Sequence, residues 1–336
     1  MRGRGRRVRV SRAGFAALFL TVAGCGGGTA GTPATAHVEP GQSDGDDLAT
    51  LEQRCRGDNH APSCTAAGRR YDLGEGVRRN VTRAMELYAL GCEWGQGRAC
   101  GYLLESHTGV GSAAIDASES FRLASAMCTR GDQDACAGVG FAFDEGVGVG
   151  QDLVLALRHF TAACDGGSAR GCTGLAGLYG DGRGVEVDVP RALELYTRAC
   201  DAGDAWGCTE LAMLYDNGEH VTRDYARAVA LNQRACDGGD PLACRNLGSL
   251  YEDGSGVVQS YEQARRFYEL ACNGGEPGGC NNLGALYDVG SGVQQDQERA
   301  RELYIEACEG GDQNGCENLD VLERDTATPD DEPADP

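Results

Sequence analysis

Cysteine is the residue type in this 336-residue chain whose spacing implies chemistry. There are seventeen, and sixteen fall into pairs: Cys55/Cys64, Cys92/Cys100, Cys128/Cys136, Cys164/Cys172, Cys200/Cys208, Cys236/Cys244, Cys272/Cys280 and Cys308/Cys316. Seven pairs are eight positions apart and the first is nine apart. Paired thiols serve either as disulfides or as metal ligands. Zinc sites favour closer pairs and often recruit histidine, and the five histidines (His37, His60, His107, His159, His220) follow no repeat. Regular pairs in an exported chain read as a disulfide framework. Neither a metal nor a cofactor is expected.

Other catalytic chemistry finds little to work with. The chain contains no lysine, so the Ser-x-x-Lys and Lys-Thr-Gly motifs of serine β-lactamases are impossible. A Gly-x-Ser-x-Gly elbow and a His-Glu-x-x-His zinc motif are also absent. Cysteines held in disulfides cannot act as nucleophiles. Enzyme activity is left uncertain and is not the favoured reading.

The seventeenth cysteine belongs to the start of the chain. Six arginines (Arg2, Arg4, Arg6, Arg7, Arg9, Arg12) precede an apolar run from Ala13 to Gly24. That run is shorter than the ~20 residues that span a bilayer, and the combination reads as an export signal over residues 1–24. Val22-Ala23-Gly24-Cys25 resembles the lipobox of bacterial lipoproteins, which implies lipid on Cys25. Gly26 after it implies the outer membrane, facing periplasm or cell surface. The alternative is an ordinary signal peptide that leaves Cys25 a spare thiol. Residues 25–47 are Gly-, Thr-, Ala- and Pro-rich and read as a flexible tether. Residues 325–336 are acidic and Pro-rich and read as a disordered tail. Folded mass is therefore expected over 48–324.

The elements that place the cysteines follow from a repeat. From Cys64 to Cys316 the second cysteine of each pair recurs every 36 residues without insertion or deletion, which is solenoid behaviour. Cys172, Leu175, Ala176, Leu178 and Tyr179 lie on one helical face, and Gly182 and Gly184 mark a stop. Pro190 suits the first turn of a second helix, and Ala192, Leu195, Tyr196 and Ala199 again share a face. Each unit is a helix hairpin that must stack on its neighbours. Ala156, Ala192, Ala228, Ala264 and Ala300 share a position suited to a close helix crossing. Nine of the twelve tyrosines occupy two repeat positions: Tyr71, Tyr179, Tyr215, Tyr251 and Tyr287, then Tyr88, Tyr196, Tyr268 and Tyr304. A fixed position reads as packing. The predicted fold is an all-α α-solenoid of helix-turn-helix repeats of 36 residues, disulfide-stapled.

With Leu247-Gly248-Ser249-Leu250-Tyr251, Leu283-Gly284-Ala285-Leu286-Tyr287 and the Gly-x-Gly-Val turn, the chain resembles the Sel-one-like repeat family, a relative of the tetratricopeptide repeat. Paired cysteines at each repeat narrow the likeness to its cysteine-rich secreted branch. The second unit departs from the pattern: His107 stands for Tyr, Ser112 for the turn Gly and Ser120 for the packing Ala. The resemblance implies a curved, right-handed superhelix (a right-handed α-solenoid) whose concave face is lined by first helices, in a family whose members mostly mediate protein–protein contacts. It also implies an alternative, β-lactam binding or weak β-lactamase activity.

Net charge is −21, and loss of residues 1–24 removes six arginines and no acid. So acidic a body argues against nucleic acid and limits membrane contact to the lipid on Cys25. What varies between repeats marks the expected groove. Trp206, Glu210, Met213, Arg245, Asn246, Asn281 and Asn282 are assigned to a protein or peptide partner, since aromatic and Arg residues are typical anchors. The alternative is a solvated helix face. Asp144, Asp216, Glu252 and Asp288 near the first-helix ends read as cation or basic-peptide contacts, or as turn chemistry. The expectation is an exported, monomeric, non-catalytic binding scaffold.

Overall fold

The computed structural model describes residues 46–108, 115–218 and 220–326. The expected signal, Cys25, most of the tether, Ser112 and nearly all of the tail lie outside them. The described residues form sixteen α-helices and no strand. First helices of successive hairpins are α2 (Ala61–Leu73), α4 (Gly97–Glu105), α6 (Gln133–Glu145), α8 (Ala169–Asp181), α10 (Ala205–Asn217), α12 (Pro241–Asp253), α14 (Pro277–Val289) and α16 (Gln313–Thr326). Second helices are α3 (Val81–Glu93), α5 (Ala117–Thr129), α7 (Leu153–Asp165), α9 (Val189–Asp201), α11 (Tyr225–Asp237), α13 (Tyr261–Asn273) and α15 (Gln297–Glu309); α1 (Leu48–Asp58) stands alone before them.

Capping chemistry sets these boundaries. Asp152, Asp188, Asp224, Ser260 and Asp296 each accept from a backbone N–H in the first turn of a second helix. Such a cap is worth about 1 kcal/mol. First helices end on Gly146, Gly182, Gly218, Gly254 and Gly290, all left-handed, where a side chain would be strained.

Size complementarity packs each hairpin. A Cβ on Gly68, Gly140, Gly248 or Gly284 would stand 2.5–2.8 Å from the ring of Tyr88, Phe160, Tyr268 or Tyr304 respectively. At the equivalent positions of the second hairpin the sizes are exchanged, and Leu104 shares a buried cluster with Ala124. Close packing demands one large and one small residue at this crossing.

Eight disulfides join α1 and each second helix to the first helix that follows, with Cα–Cα distances of 4.5–4.8 Å, inside the bonding range. They are Cys55–Cys64, Cys92–Cys100, Cys128–Cys136, Cys164–Cys172, Cys200–Cys208, Cys236–Cys244, Cys272–Cys280 and Cys308–Cys316, the pairs that the spacing predicts. The second cysteine of each pair takes the apolar-face position that the spacing gives Cys172. Cys100 of α4, Cys136 of α6 and Cys244 of α12 are buried among core side chains. None of the three is more than 7% exposed. They are interior staples between neighbouring hairpins, the role that the sequence reading assigns them. Such bridges point to an oxidising, exported environment. No described helix is long and apolar enough to cross a membrane.

The first helices form the inner row. Neighbours α4–α6, α6–α8, α12–α14 and α14–α16 touch one another, whereas second helices of successive hairpins do so sparingly. The resulting α-solenoid curves far enough for its first hairpin to meet the fifth and sixth. Arg69 Nη2 donates to the Gly238 carbonyl at 2.6 Å, 169 residues away. A Cβ on Gly275 would stand 2.5 Å from the Arg79 guanidinium.

Candidate functional site

A cluster on the inner row joins five first helices, α2, α4, α6, α8 and α10. Arg170 of α8 lies 4.3 Å above the Tyr102 ring of α4 and is ion-paired with Glu105. Arg69 of α2 approaches the same ring at 5.7 Å. Guanidinium over an aromatic face is attracted by the ring quadrupole. On α10, Trp206 is 44% exposed and its Nε1 donates to Glu210 Oε1 at 2.9 Å. Burial pushes the Glu210 carboxyl above its ordinary range, against the pull of the Trp206 bond. Glu105, Ala137, Phe141, Phe160, Arg170 and Trp206 enclose about 10 Å³, room for a single water. The cluster therefore encloses no small molecule. It presents an aromatic, arginine-bearing surface.

The structure divides the seven residues assigned to a partner. Trp206 and Glu210 join this cluster, and Met213 lies half-buried further along α10. Arg245 does something else: its Nη1 donates to Glu276 Oε1 at 2.7 Å, which ties α12 to the N-cap of α14. Thr173 to Asp204 and Thr209 to Asp240, each 2.6 Å, make the same joint in earlier repeats. Asn281 is buried, accepting from Asn318 at 2.8 Å and donating to Asn282 at 3.2 Å. Asn246 is half-buried on α12.

The acids at first-helix ends have partners too. Glu252 accepts from the Tyr268 hydroxyl at 2.6 Å, and Asp72 from Tyr88 at 3.2 Å. Asp144 is buried against Arg183 at 2.7 Å, and burial still raises its carboxyl to about 6. In the second hairpin the two departures form one contact, His107 Nε2 to Ser120 Oγ at 2.9 Å. Burial lowers the His107 pKa while Asp116 opposes that shift.

Tyr102, Glu105, Phe141 and Arg170 escaped the sequence reading. A signal existed: of the twelve tyrosines, Tyr102, Tyr225 and Tyr261 are the three outside the two repeating positions. Arg170 and Trp206 also share one repeat position, two before the second cysteine.

The Sel1 repeat pattern matches residues 61–94, 133–168, 169–204, 207–240, 241–276 and 277–312. The gap, 95–132, contains the second hairpin's departures. Among solved structures, a protective antigen of uropathogenic Escherichia coli with an SLR fold is 25% identical. It matches over 84% of this chain and 60% of its own, with a TM-score of 0.52, so this chain spans about three fifths of its length. A Sel1 repeat protein from Oxalobacter formigenes is 23% identical over 62% of this chain and 87% of its own, with a TM-score of 0.53, a likeness of fold. Helicobacter pylori cysteine rich protein B is 26% identical over 40% of this chain and 96% of its own, with a TM-score of 0.33. That superposition is too loose to assign a branch. No curated protein matches the chain at a significant level. Matched by the repeat pattern over more than half its length, with stacked hairpins to correspond, the chain belongs to the Sel1 repeat family.

Proposed function

We propose that this chain is a lipid-tethered scaffold of the cell envelope that binds a protein or peptide partner along its inner row of first helices, without catalysis. One observation carries the reading: the inner face between α4 and α10 bears non-repeating Tyr102, Arg170 and Trp206 where packing alone would repeat. Tyr, Trp and Arg are the residues that most often anchor interfaces. With about 10 Å³ enclosed there, the occupant rests on the face rather than entering it. Trp206, Glu210 and Met213 supply contacts, and Asn246 and Asn282 extend the face toward the C-terminal repeats. Arg245 and Asn281 act indirectly, by fixing the joints between repeats. The tether runs from lipid on Cys25 to α1, with the outer membrane as its anchor.

Retention of envelope proteins on the immobilised chain is the test. Tyr102→Ala with Trp206→Ala is expected to release a partner that the parent retains, at unchanged helix content. A double variant that retains everything the parent retains would show that binding lies elsewhere. Cys25→Ser should move the protein from the membrane to the soluble envelope fraction. Hydrolysis of a chromogenic cephalosporin above a reduced, unfolded control would overturn the non-catalytic reading.

A further inference from the structure

The fifth hairpin departs from its neighbours at three places. Asn232 of α11 stands at the repeat position that holds a ring in Tyr88, Phe160, Tyr196, Tyr268 and Tyr304. It is 1% exposed, and its Oδ1 has no hydrogen-bond partner among the described residues. The second hairpin also lacks the ring, but there Leu104 makes up the volume beside Ala124, whereas here the residue at the Leu104 position is Ala212. His220, in the loop after α10, has φ 64°, at the position where Gly76, Gly148, Gly184, Gly256 and Gly292 take 68–73°. A side chain is strained in that left-handed region. An orphaned buried oxygen and a strained backbone both lower local stability, and such features gather at elements that move.

The same hairpin receives the contact that closes the superhelix. Arg69 of α2 donates to the carbonyl of Gly238, the residue after α11. A Cβ on Gly239 would stand 2.7 Å from Leu73, 2.8 Å from Arg69 Nη2 and 3.5 Å from Glu75 Oε1. Side chains of the first hairpin thus rest on a turn. Between α2 and α11 or α12 there is no packing comparable to that between successive hairpins. Arg69 also lies 5.7 Å from the Tyr102 ring. The closing contact and the inner-face cluster therefore share a residue.

We infer that the superhelix has a closed and an open state, with Arg69, Leu73 and Glu75 as a latch on the turn after α11 and the fifth hairpin as the hinge. Hinges are a few loop or element-terminal residues that absorb a change of backbone angle, and the α10–α11 loop with His220 is placed to do so. The loosely filled crossing of Ala212 and Asn232 lets α11 shift on α10 and carry the Gly238 turn away from Arg69. Opening removes the bond that holds Arg69 beside Tyr102. A ligand shifts such an equilibrium only by preferring one state. On the function proposed above, from which this last step alone follows, a partner that rests on Tyr102 and Trp206 prefers the open one, and the latch holds the inner face back from it.

Pulsed electron-spin distance measurement on the full-length chain, free of any partner, tests it. Spin labels go on ketone-bearing residues at the exposed positions 75 and 237, which leaves the paired cysteines untouched. The parent is expected to show a short and a long distance. Arg69→Ala with Leu73→Asp should lose the short one. Ala212→Gly, Asn232→Tyr and His220→Gly together restore the neighbours' pattern and should lose the long one. Hydrogen exchange, which needs no substitution, should be faster in α10 and α11 than in α8, α9, α12 and α13. A single distance in the parent, a distribution that neither set of substitutions moves, or exchange no faster in the fifth hairpin would overturn the inference. These readings involve no partner, so they stand or fall apart from the function proposed above. Where the immobilised parent retains a partner, the chain with the restored hairpin should retain less of it. Equal retention would overturn the control of the inner face by the latch.

Discussion

Gly248 and Tyr268 meet because one of them has no side chain. A Cβ on Gly248 would stand 2.5 Å from the Tyr268 ring, whose hydroxyl bonds Glu252 and Ser249. Gly248→Leu is expected to destabilise the sixth hairpin by about 1–3 kcal/mol through overpacking. Adding Tyr268→Ala should recover part of that loss, because Leu with Ala is the arrangement already present at Leu104 and Ala124. Thermal denaturation of the single and double variants measures both. The two positions were visible in the sequence as repeating residues. That they touch was not, because contact depends on how the hairpin closes. His107 and Ser120 show the same limit. Read separately they were two departures from pattern, while in the fold they bond each other at 2.9 Å. Arg245 was read as a free anchor because its partner, Glu276, belongs to the next repeat.

Helix ends and disulfides decide the behaviour of each hairpin. Asp204 does two things: it caps α10 through the Gly207 N–H at 2.9 Å and accepts from Thr173 at 2.6 Å. Asp204→Ala should cost roughly 1–2 kcal/mol for the cap, with a further loss from the orphaned Thr173 hydroxyl, and Asp204→Asn should restore most of it. Chemical denaturation is the check. Replacing Cys200 and Cys208 together by Ser opens a nine-residue loop, worth about 2.5 kcal/mol on the chain-entropy view. The helical hairpin and the cysteine pairing were legible at this scale, because apolar spacing, Gly stops and an unbroken period all pointed one way. The burial of Cys100, Cys136 and Cys244 was legible as well, because they share the apolar-face position read for Cys172. The second hairpin was less legible. Its α4 stops at Glu105 and passes into a short 3-10 turn at Ser106–Thr108.

At the scale of the whole molecule, charge and curvature take over. Burial raises the carboxyls of Asp72, Asp144, Glu210, Asp216, Asp240, Glu252 and Glu276, that of Asp144 to about 6. A carboxyl raised in the folded state binds more protons there than in the unfolded chain. Its contribution to stability is therefore complete below the unfolded value near 4 and is lost as pH rises through the folded one. The net charge of −21 acts in the same direction through self-repulsion. The melting temperature is expected to rise as pH falls from neutrality toward 5, and Asp144→Asn should flatten part of that rise. Closure of the superhelix was invisible to sequence reading. Arg69 and Gly238 are brought together by curvature summed over five hairpins, with no local signal at either residue. For the same reason the inner face was found only in part: Trp206 stood out by type, whereas Arg170 needed Tyr102, 68 residues earlier, beneath it. The most direct test of the account is photo-cross-linking in cell envelopes, with a photoreactive residue at position 206 on the inner row or at position 262 on α13 of the outer row. A partner adduct at 206 that is absent at 262 is the predicted result. Adducts at 262 alone, or an identical set at both positions, would contradict it.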